Sequence, residues 1–139
     1  MEEPVWIDEK LALAIHERQL TEHGGTSGIR DQGVLESALA RAREKWAYGT
    51  DLDMPALAAA YAFGLVRNRP FVDGNKRTAY VVCRTFFLLD GWDLLGSLAE
   101  RYPVMIALAA GELDEEGFAA WLREHARLED VSESRGSYA

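Results

Sequence analysis

Residues 56 to 66 read ALAAAYAFGLV, a stretch that is apolar on nearly every side of a helix. Such a run predicts a helix buried in the centre of the protein, because a helix at the surface keeps one polar face. Asp51 or Asp53 is expected to cap its start. The helix must end near Asn68, since Pro70 lacks an N–H and pushes the residue before it out of the α region.

Apolar residues recur at helical spacing on both sides of this central stretch. We therefore predict an all-α fold, a single compact domain of about six helices. The helices are expected at about 9–24, 31–49, 53–68, 75–89, 97–110 and 114–125, with Asp8 capping the first. Pro103 should bend or interrupt the fifth of them.

The length and composition fit one globular domain, with 139 residues of which 48% are hydrophobic and 27% charged. We expect a domain over residues 1–128 and a flexible tail over 129–139, where apolar periodicity is lost. The single cysteine, Cys83, excludes an internal disulfide and a multi-thiolate zinc site. No signal-peptide pattern and no apolar run of about 20 residues occurs, so we expect a cytoplasmic protein without a membrane partner.

The charge is unevenly distributed along the chain. The net charge of −8 argues against a protein whose whole surface binds nucleic acid, so no direct nucleic-acid partner is expected. Residues 67–84 nevertheless carry +4, while the remaining 121 residues carry −12. A basic stretch in an acidic protein predicts a local site for an anion.

The loop between the third and fourth predicted helices carries the informative motif. Residues 68–78 read NRPFVDGNKRT. Gly74 allows a tight turn and close approach of another group, and Asn75, Lys76 and Arg77 occupy the first turn of the following helix. Free N–H groups, the positive end of the helix dipole and two cationic side chains meet there, which predicts a phosphate site.

Asp73 stands beside these groups and is a candidate ligand for Mg²⁺, which takes one or two carboxylates together with substrate phosphates. The alternative interpretation is that Asp73 only caps the helix and that Lys76 and Arg77 are solvated. That interpretation leaves Phe71 unexplained. A large apolar residue in a charged loop is expected to be buried, where it pins the loop against the core.

Residues Phe71 to Arg77 match the signature loop of Fic-domain proteins, H-x-F-x-[DE]-[AG]-N-[GK]-R. The chain resembles this family over about residues 6–126, and it is most similar to the death-on-curing (Doc) toxin branch. The residues that carry this similarity are GIRDQGVLESAL at 28–39, Tyr48-Gly49 and NKRTA at 75–79. The resemblance implies an all-α fold and an enzyme that transfers part of ATP to a hydroxyl of a protein.

The resemblance leaves two reactions open. Most Fic enzymes transfer AMP, whereas Doc-like proteins resemble a kinase that moves the γ-phosphate of ATP onto a threonine of elongation factor Tu and halts translation. The position after the motif asparagine separates the two groups, and here it is Lys76 rather than the glycine usual in AMP transferases. We therefore favour phosphoryl transfer, with AMP transfer as the alternative.

The resemblance also assigns roles to the motif residues. Asp73 would hold Mg²⁺. The phosphates of ATP would bind at Gly74, Asn75 and the amides of the helix start, and Lys76 and Arg77 would stabilise charge on the transferred group.

Arg69 departs from the family pattern, which has histidine at this position as the general base. A guanidinium stays protonated and has no acceptor, so it cannot take the proton of the target hydroxyl. This chain is either a naturally inactive member or carries an inactivating substitution in a toxic protein. We favour the second explanation, because every other motif position is intact. A non-catalytic module that binds a nucleotide or an antitoxin is the alternative from a different functional class.

Three histidines lie outside the motif, and we expect His16, His23 and His125 to be ordinary helix residues. The chain also lacks an inhibitory motif of its own. Many Fic proteins carry the pattern [ST]-x-x-x-E-[GN], whereas no Ser or Thr here has Glu four residues later. Inhibition is therefore expected from a cognate antitoxin, which would lay a helical or disordered segment in a groove of this protein.

Overall fold

The computed structural model describes residues 1–129. Within this range the chain forms six α-helices and one pair of short strands. In chain order they are α1 (Glu9–His23), α2 (Gln32–Tyr48), α3 (Met54–Asn68), α4 (Asn75–Leu89), β1 (Trp92–Leu94), α5 (Leu98–Ala110), α6 (Glu115–His125) and β2 (Ala126–Leu128). The all-α prediction is confirmed, and of the predicted tail over residues 129–139 only Glu129 lies within the described residues.

Five of the six helices begin at a residue whose side chain accepts a hydrogen bond from the third N–H of the helix. These caps are Asp8, Asp31, Asp53, Ser97 and Asp114. Asp53, and not Asp51, therefore caps α3. Of the two effects expected of Pro103, a bend or an interruption, the interruption does not occur, because α5 continues through it. Pro103 lies in the second turn, where its missing N–H removes a single hydrogen bond of the helix.

Helix α3 forms the centre of the fold, as its sequence predicts, and packs against α2, α4, α5 and α6. The buried Tyr61 ring meets Phe86 of α4 edge-on with 5.1 Å between centroids, and Phe86 stacks on Trp6 at 6.0 Å. The Tyr61 hydroxyl accepts a hydrogen bond from the Ile7 N–H at 3.0 Å. Although α3 is strongly apolar, neither it nor any other helix within residues 1–129 could span a bilayer.

One of the two strands follows α4 and the other follows α6, so their pairing brings the ends of these helices together. They pair antiparallel, with Trp92 opposite Leu128 and Leu94 opposite Ala126. The sequence did not predict them, because three residues are too few to show the alternating pattern of a strand.

Helices α2 and α3 approach closely at Gly64. A Cβ atom at this position would lie 3.2 Å from both the Cα and the carbonyl oxygen of Ala38. Both of these atoms belong to the backbone of α2, so the helices would have to separate to make room. Gly33, near the start of α2, faces no such obstacle, since its nearest neighbour would be 3.5 Å away at Asp31.

Replacing Gly64 by Ala should lower the free energy of unfolding by about 1 to 2 kcal/mol, because overpacking outweighs the gain in helix propensity. The matched substitution Gly33→Ala should instead raise it by about 0.5 kcal/mol. Urea denaturation followed by circular dichroism measures both changes. Equal stabilisation by the two substitutions would show that the α2–α3 contact has room for a methyl group.

Candidate active site

The loop between α3 and α4 starts at Arg69, whose backbone has the left-handed conformation, φ 49° and ψ 63°. Arg30, in the connection between α1 and α2, holds this turn. Its Nε donates to the carbonyl of Arg69 at 2.6 Å, and its Nη2 donates to the carbonyl of Asn68 at 2.7 Å. The last carbonyls of α3 are thus satisfied by a cation, which also suits the negative end of the helix dipole.

The α1–α2 connection also pairs with the backbone of the loop. The Val72 N–H donates to the carbonyl of Gly28 at 3.0 Å, and the Arg30 N–H donates to the carbonyl of Pro70 at 2.7 Å. An isolated antiparallel bridge joins Ile29 to Phe71. The loop is therefore held by a segment about 40 residues earlier in the chain, which the sequence analysis did not connect to it.

Phe71 is the buried anchor of the loop, as predicted, with 1% of its surface exposed. Asn75 fastens its backbone from both sides. The Asn75 Oδ1 accepts from the Phe71 N–H at 3.0 Å, and the Asn75 Nδ2 donates to the Phe71 carbonyl at 2.9 Å. Because the side chain of Asn75 is engaged in this way, its backbone N–H is the group left for a ligand.

The imidazole ring of His16, on α1, stacks on one face of the Phe71 ring. The two rings are parallel within 7° and their centroids are 3.8 Å apart. The His16 Nε2 lies 2.8 Å from the carbonyl oxygen of Asp73. His16 is a residue of α1, as expected, but it is buried and contacts the loop, which the sequence did not predict. The sequence could have revealed this position, because His16 shares one face of α1 with the buried residues Ala12, Ile15 and Gln19.

Helix α4 begins without a side-chain cap, unlike the other five helices described above. Gly74 precedes it in the left-handed conformation, with φ 76° and ψ 18°. The first hydrogen bond of the helix runs from the Thr78 N–H to the Gly74 carbonyl. The N–H groups of Asn75, Lys76 and Arg77 have no acceptor among residues 1–129. Open N–H groups at a helix N-terminus favour the binding of an anion.

A cleft of about 130 Å³ lies over the start of α4. Its polar lining comprises Arg67, Arg69, Asp73, Gly74, Asn75 and Lys76. Within the described part of the chain, none of its three cations forms an ion pair with a carboxylate. The structure therefore gathers most of the predicted site residues around one electropositive cleft.

Two cationic residues of the basic stretch, Arg77 and Arg84, do not line the cleft. The Arg77 guanidinium lies 5.7 Å from the centroid of the Tyr102 ring on α5, and Arg77 does not line the cleft. Arg84 lies further along α4, where it pairs with Asp93 at 3.5 Å. Arg77 thus adds charge near the site from the first turn of α4, whereas Arg84 belongs to the contact with β1.

Asp73 is exposed, and its carboxylate accepts hydrogen bonds from the N–H groups of Thr26 at 3.2 Å and Gly74 at 2.9 Å. These two bonds hold the pKa of Asp73 below its usual value, so the carboxylate is ionised at neutral pH. No cluster of three or more metal-ligating side chains occurs in residues 1–129. A cation here would take one carboxylate from the protein and its other ligands from phosphate and water, the pattern that suits Mg²⁺.

Comparison with known proteins agrees with the geometry of the loop. The sequence model of the Fic/DOC family matches residues 6–87. The chain belongs to the Fic/DOC family. A relative named "Protein kinase doc", from Escherichia phage P1, is 29% identical over 111 residues, which cover 80% of this chain and 87% of the relative.

A second relative, named "Toxin Doc", comes from Mycolicibacterium smegmatis. It is 36% identical over 104 residues, which cover 71% of this chain and 78% of the relative. The resemblance to the Doc branch expected from the motif is therefore confirmed. The family match ends at residue 87, so it includes the loop and most of α4 but neither α5 nor α6.

Truncating Phe71 to Ala should cost about 3 to 5 kcal/mol of stability, because it empties a buried ring site and removes the partner of the His16 ring. Val72→Ala is the matched control at the next position, since Val72 is 48% exposed. It should change stability by no more than about 0.5 kcal/mol. Thermal unfolding of the two variants tests the difference, and an unaffected Phe71→Ala protein would show that the ring does not anchor the loop.

Proposed function

We propose that this Fic/DOC protein binds the phosphates of ATP, with Mg²⁺, at the start of α4, and that its reaction class is phosphoryl transfer to a protein hydroxyl. The observation that carries the proposal is the uncapped N-terminus of α4 beneath a cleft lined by Arg67, Arg69 and Lys76. The name of the phage relative, "Protein kinase doc", supports the same reaction.

Each group at the site has a role in this proposal. The N–H groups of residues 75–77 donate to phosphate oxygens, and Lys76 and Arg77 offset negative charge on the transferred group. Asp73 would hold Mg²⁺, which when bound draws charge from the phosphate oxygens. In the reaction, the oxygen of the target hydroxyl bonds to the γ-phosphorus, the bond to the β–γ bridging oxygen breaks, and ADP leaves. The proton of the hydroxyl must pass to a base.

Arg69 stands where that base is expected. Its guanidinium has no lone pair to accept a proton, and general-base help is typically worth about 10²- to 10⁴-fold in rate. Arg69 also lines the cleft as a cation, so it favours the binding of ATP while it leaves the target hydroxyl protonated. We infer that this chain binds nucleotide but is catalytically impaired.

Lys76 favours γ-phosphate transfer over AMP transfer. It lines the cleft and places a cation where the AMP-transferring members of the family have glycine. AMP transfer is the second candidate reaction. A non-catalytic role in binding a nucleotide or an antitoxin is the candidate that Arg69 itself favours.

We further propose that the chain is the toxin of a toxin–antitoxin pair. The relative named "Toxin Doc" supports this role, in which a cognate antitoxin would inhibit the protein. Elongation factor Tu is the proposed target, in the cytoplasm, and residues 1–128 are the proposed functional domain.

Substitutions of three cationic residues of α4 should change the affinity for Mg²⁺-ATP to different degrees. Lys76→Ala should weaken the binding of Mg²⁺-ATP by about 1.5 to 3 kcal/mol, the range of a hydrogen bond to a charged group. Arg77→Ala should weaken it less, because its guanidinium lies against Tyr102. Arg84→Ala is the matched control and should leave the affinity unchanged. Titration calorimetry measures all three, and equal effects at Lys76 and Arg84 would contradict the site.

If histidine at position 69 acts as the general base, Arg69→His should restore transfer from ATP to a protein hydroxyl. The fold should be kept, because the left-handed conformation of residue 69 is one that histidine adopts several times more often than most residues. Arg69→Asn is the matched control, since asparagine also favours this conformation but cannot act as the base. The assay incubates each variant with elongation factor Tu and ATP labelled at the γ or, separately, at the α position.

Transfer of the γ label alone by the histidine variant would support the kinase reaction, and transfer of the α label would support AMP transfer. Expression of this variant without an antitoxin should arrest growth. The enzyme hypothesis fails if the histidine variant labels neither elongation factor Tu nor any protein in a cell extract and is harmless in cells. The non-catalytic role would then take its place.

A further inference from the structure

The carbonyl of Asp73, directly before the anion site, is held from the interior of the protein. Its oxygen lies 2.8 Å from the Nε2 of His16. Because a carbonyl only accepts hydrogen bonds, the Nε2 of the imidazole must carry the proton. His16 is 5% exposed and does not line the cleft, so it cannot touch a ligand bound there.

This hydrogen bond determines how the peptide group between Asp73 and Gly74 is oriented. The peptide is trans, so its carbonyl and its N–H point in opposite directions. The carbonyl faces His16, and the Gly74 N–H donates to the Asp73 Oδ1 at 2.9 Å. Gly74 itself imposes little restraint, because glycine adopts positive and negative φ about equally well.

We propose that His16 is a positioning residue that keeps the Asp73 carbonyl turned away from the anion site. If this peptide rotated, the carbonyl oxygen would leave the interior and bring the negative end of its dipole towards the phosphates. The N–H groups of Asn75 and Lys76 follow directly in the chain, so their directions depend on the same peptide. The link to ATP rests on the proposed function, whereas the orientation of the peptide does not.

Two substitutions separate the hydrogen bond from the ring stacking on Phe71. His16→Phe keeps an aromatic ring but removes the donor, whereas His16→Gln keeps an N–H donor at a similar reach but removes the ring. His16→Phe should weaken the binding of Mg²⁺-ATP by about tenfold, a loss expected for one charge-assisted contact. His16→Gln should bind close to the wild-type affinity. His23→Gln, at the exposed end of α1, is the control for loss of a histidine.

A second readout needs no ligand. In ¹⁵N–¹H correlation spectra of the free protein, His16→Phe should shift the amide signals of Gly74, Asn75 and Lys76, and His16→Gln should restore them towards their wild-type positions. If His16→Phe does not fold, His16→Leu provides the same test, since it fills the buried position without a donor.

The outcomes for the two proposals are distinguishable. Wild-type affinity together with unshifted Gly74 and Asn75 amides in a donor-free variant would overturn the role of His16. Equal losses of affinity in the Phe and Gln variants would overturn it too, because the N–H donor kept in the Gln variant would then recover nothing. Failure of the wild-type chain to bind Mg²⁺-ATP would overturn the proposed function, while the amide signals of the free protein would still decide whether His16 orients the peptide.

Discussion

The site depends on the burial of one aromatic ring in a loop that also carries the charged residues Arg69 and Asp73. Phe71 is enclosed between the imidazole of His16 and the core, and the Asn75 side chain bonds both polar groups of its backbone. A buried ring removes a large apolar surface from water and so fixes the position of the residues around it. The loop therefore reaches the start of α4 with a defined backbone, which a site built on N–H groups requires.

The hydrogen bonds of the loop engage most of its backbone carbonyls and leave the N–H groups at the start of α4 open. Arg30, Asn75 and His16 donate to the carbonyls of residues 68, 69, 71 and 73. The N–H groups at the start of α4 stay open, and their partial positive charge adds to that of the cations lining the cleft. The net charge of the protein is −8, so much of its surface repels an anion, whereas the cations and N–H groups at this cleft attract one.

Binding and chemistry rest on different parts of this arrangement. In the proposed function, binding uses backbone groups and several cations, so the loss of one side chain would weaken it only in part. Proton removal in that reaction would need a single side chain at position 69, and no other residue that lines the cleft has an imidazole. In the proposed function, one substitution at position 69 would therefore separate binding from catalysis.

The sequence by itself determined the helices and the identity of the loop. Helix limits follow from local features, such as the caps at Asp8 and Asp114 and the block imposed by Pro70, because these act within a few residues. Only the tertiary structure showed that His16 and Arg30 hold the loop, and that Arg77 turns towards Tyr102. Such contacts join residues far apart in sequence, and their geometry depends on how α1, α4 and α5 pack, which no local pattern specifies.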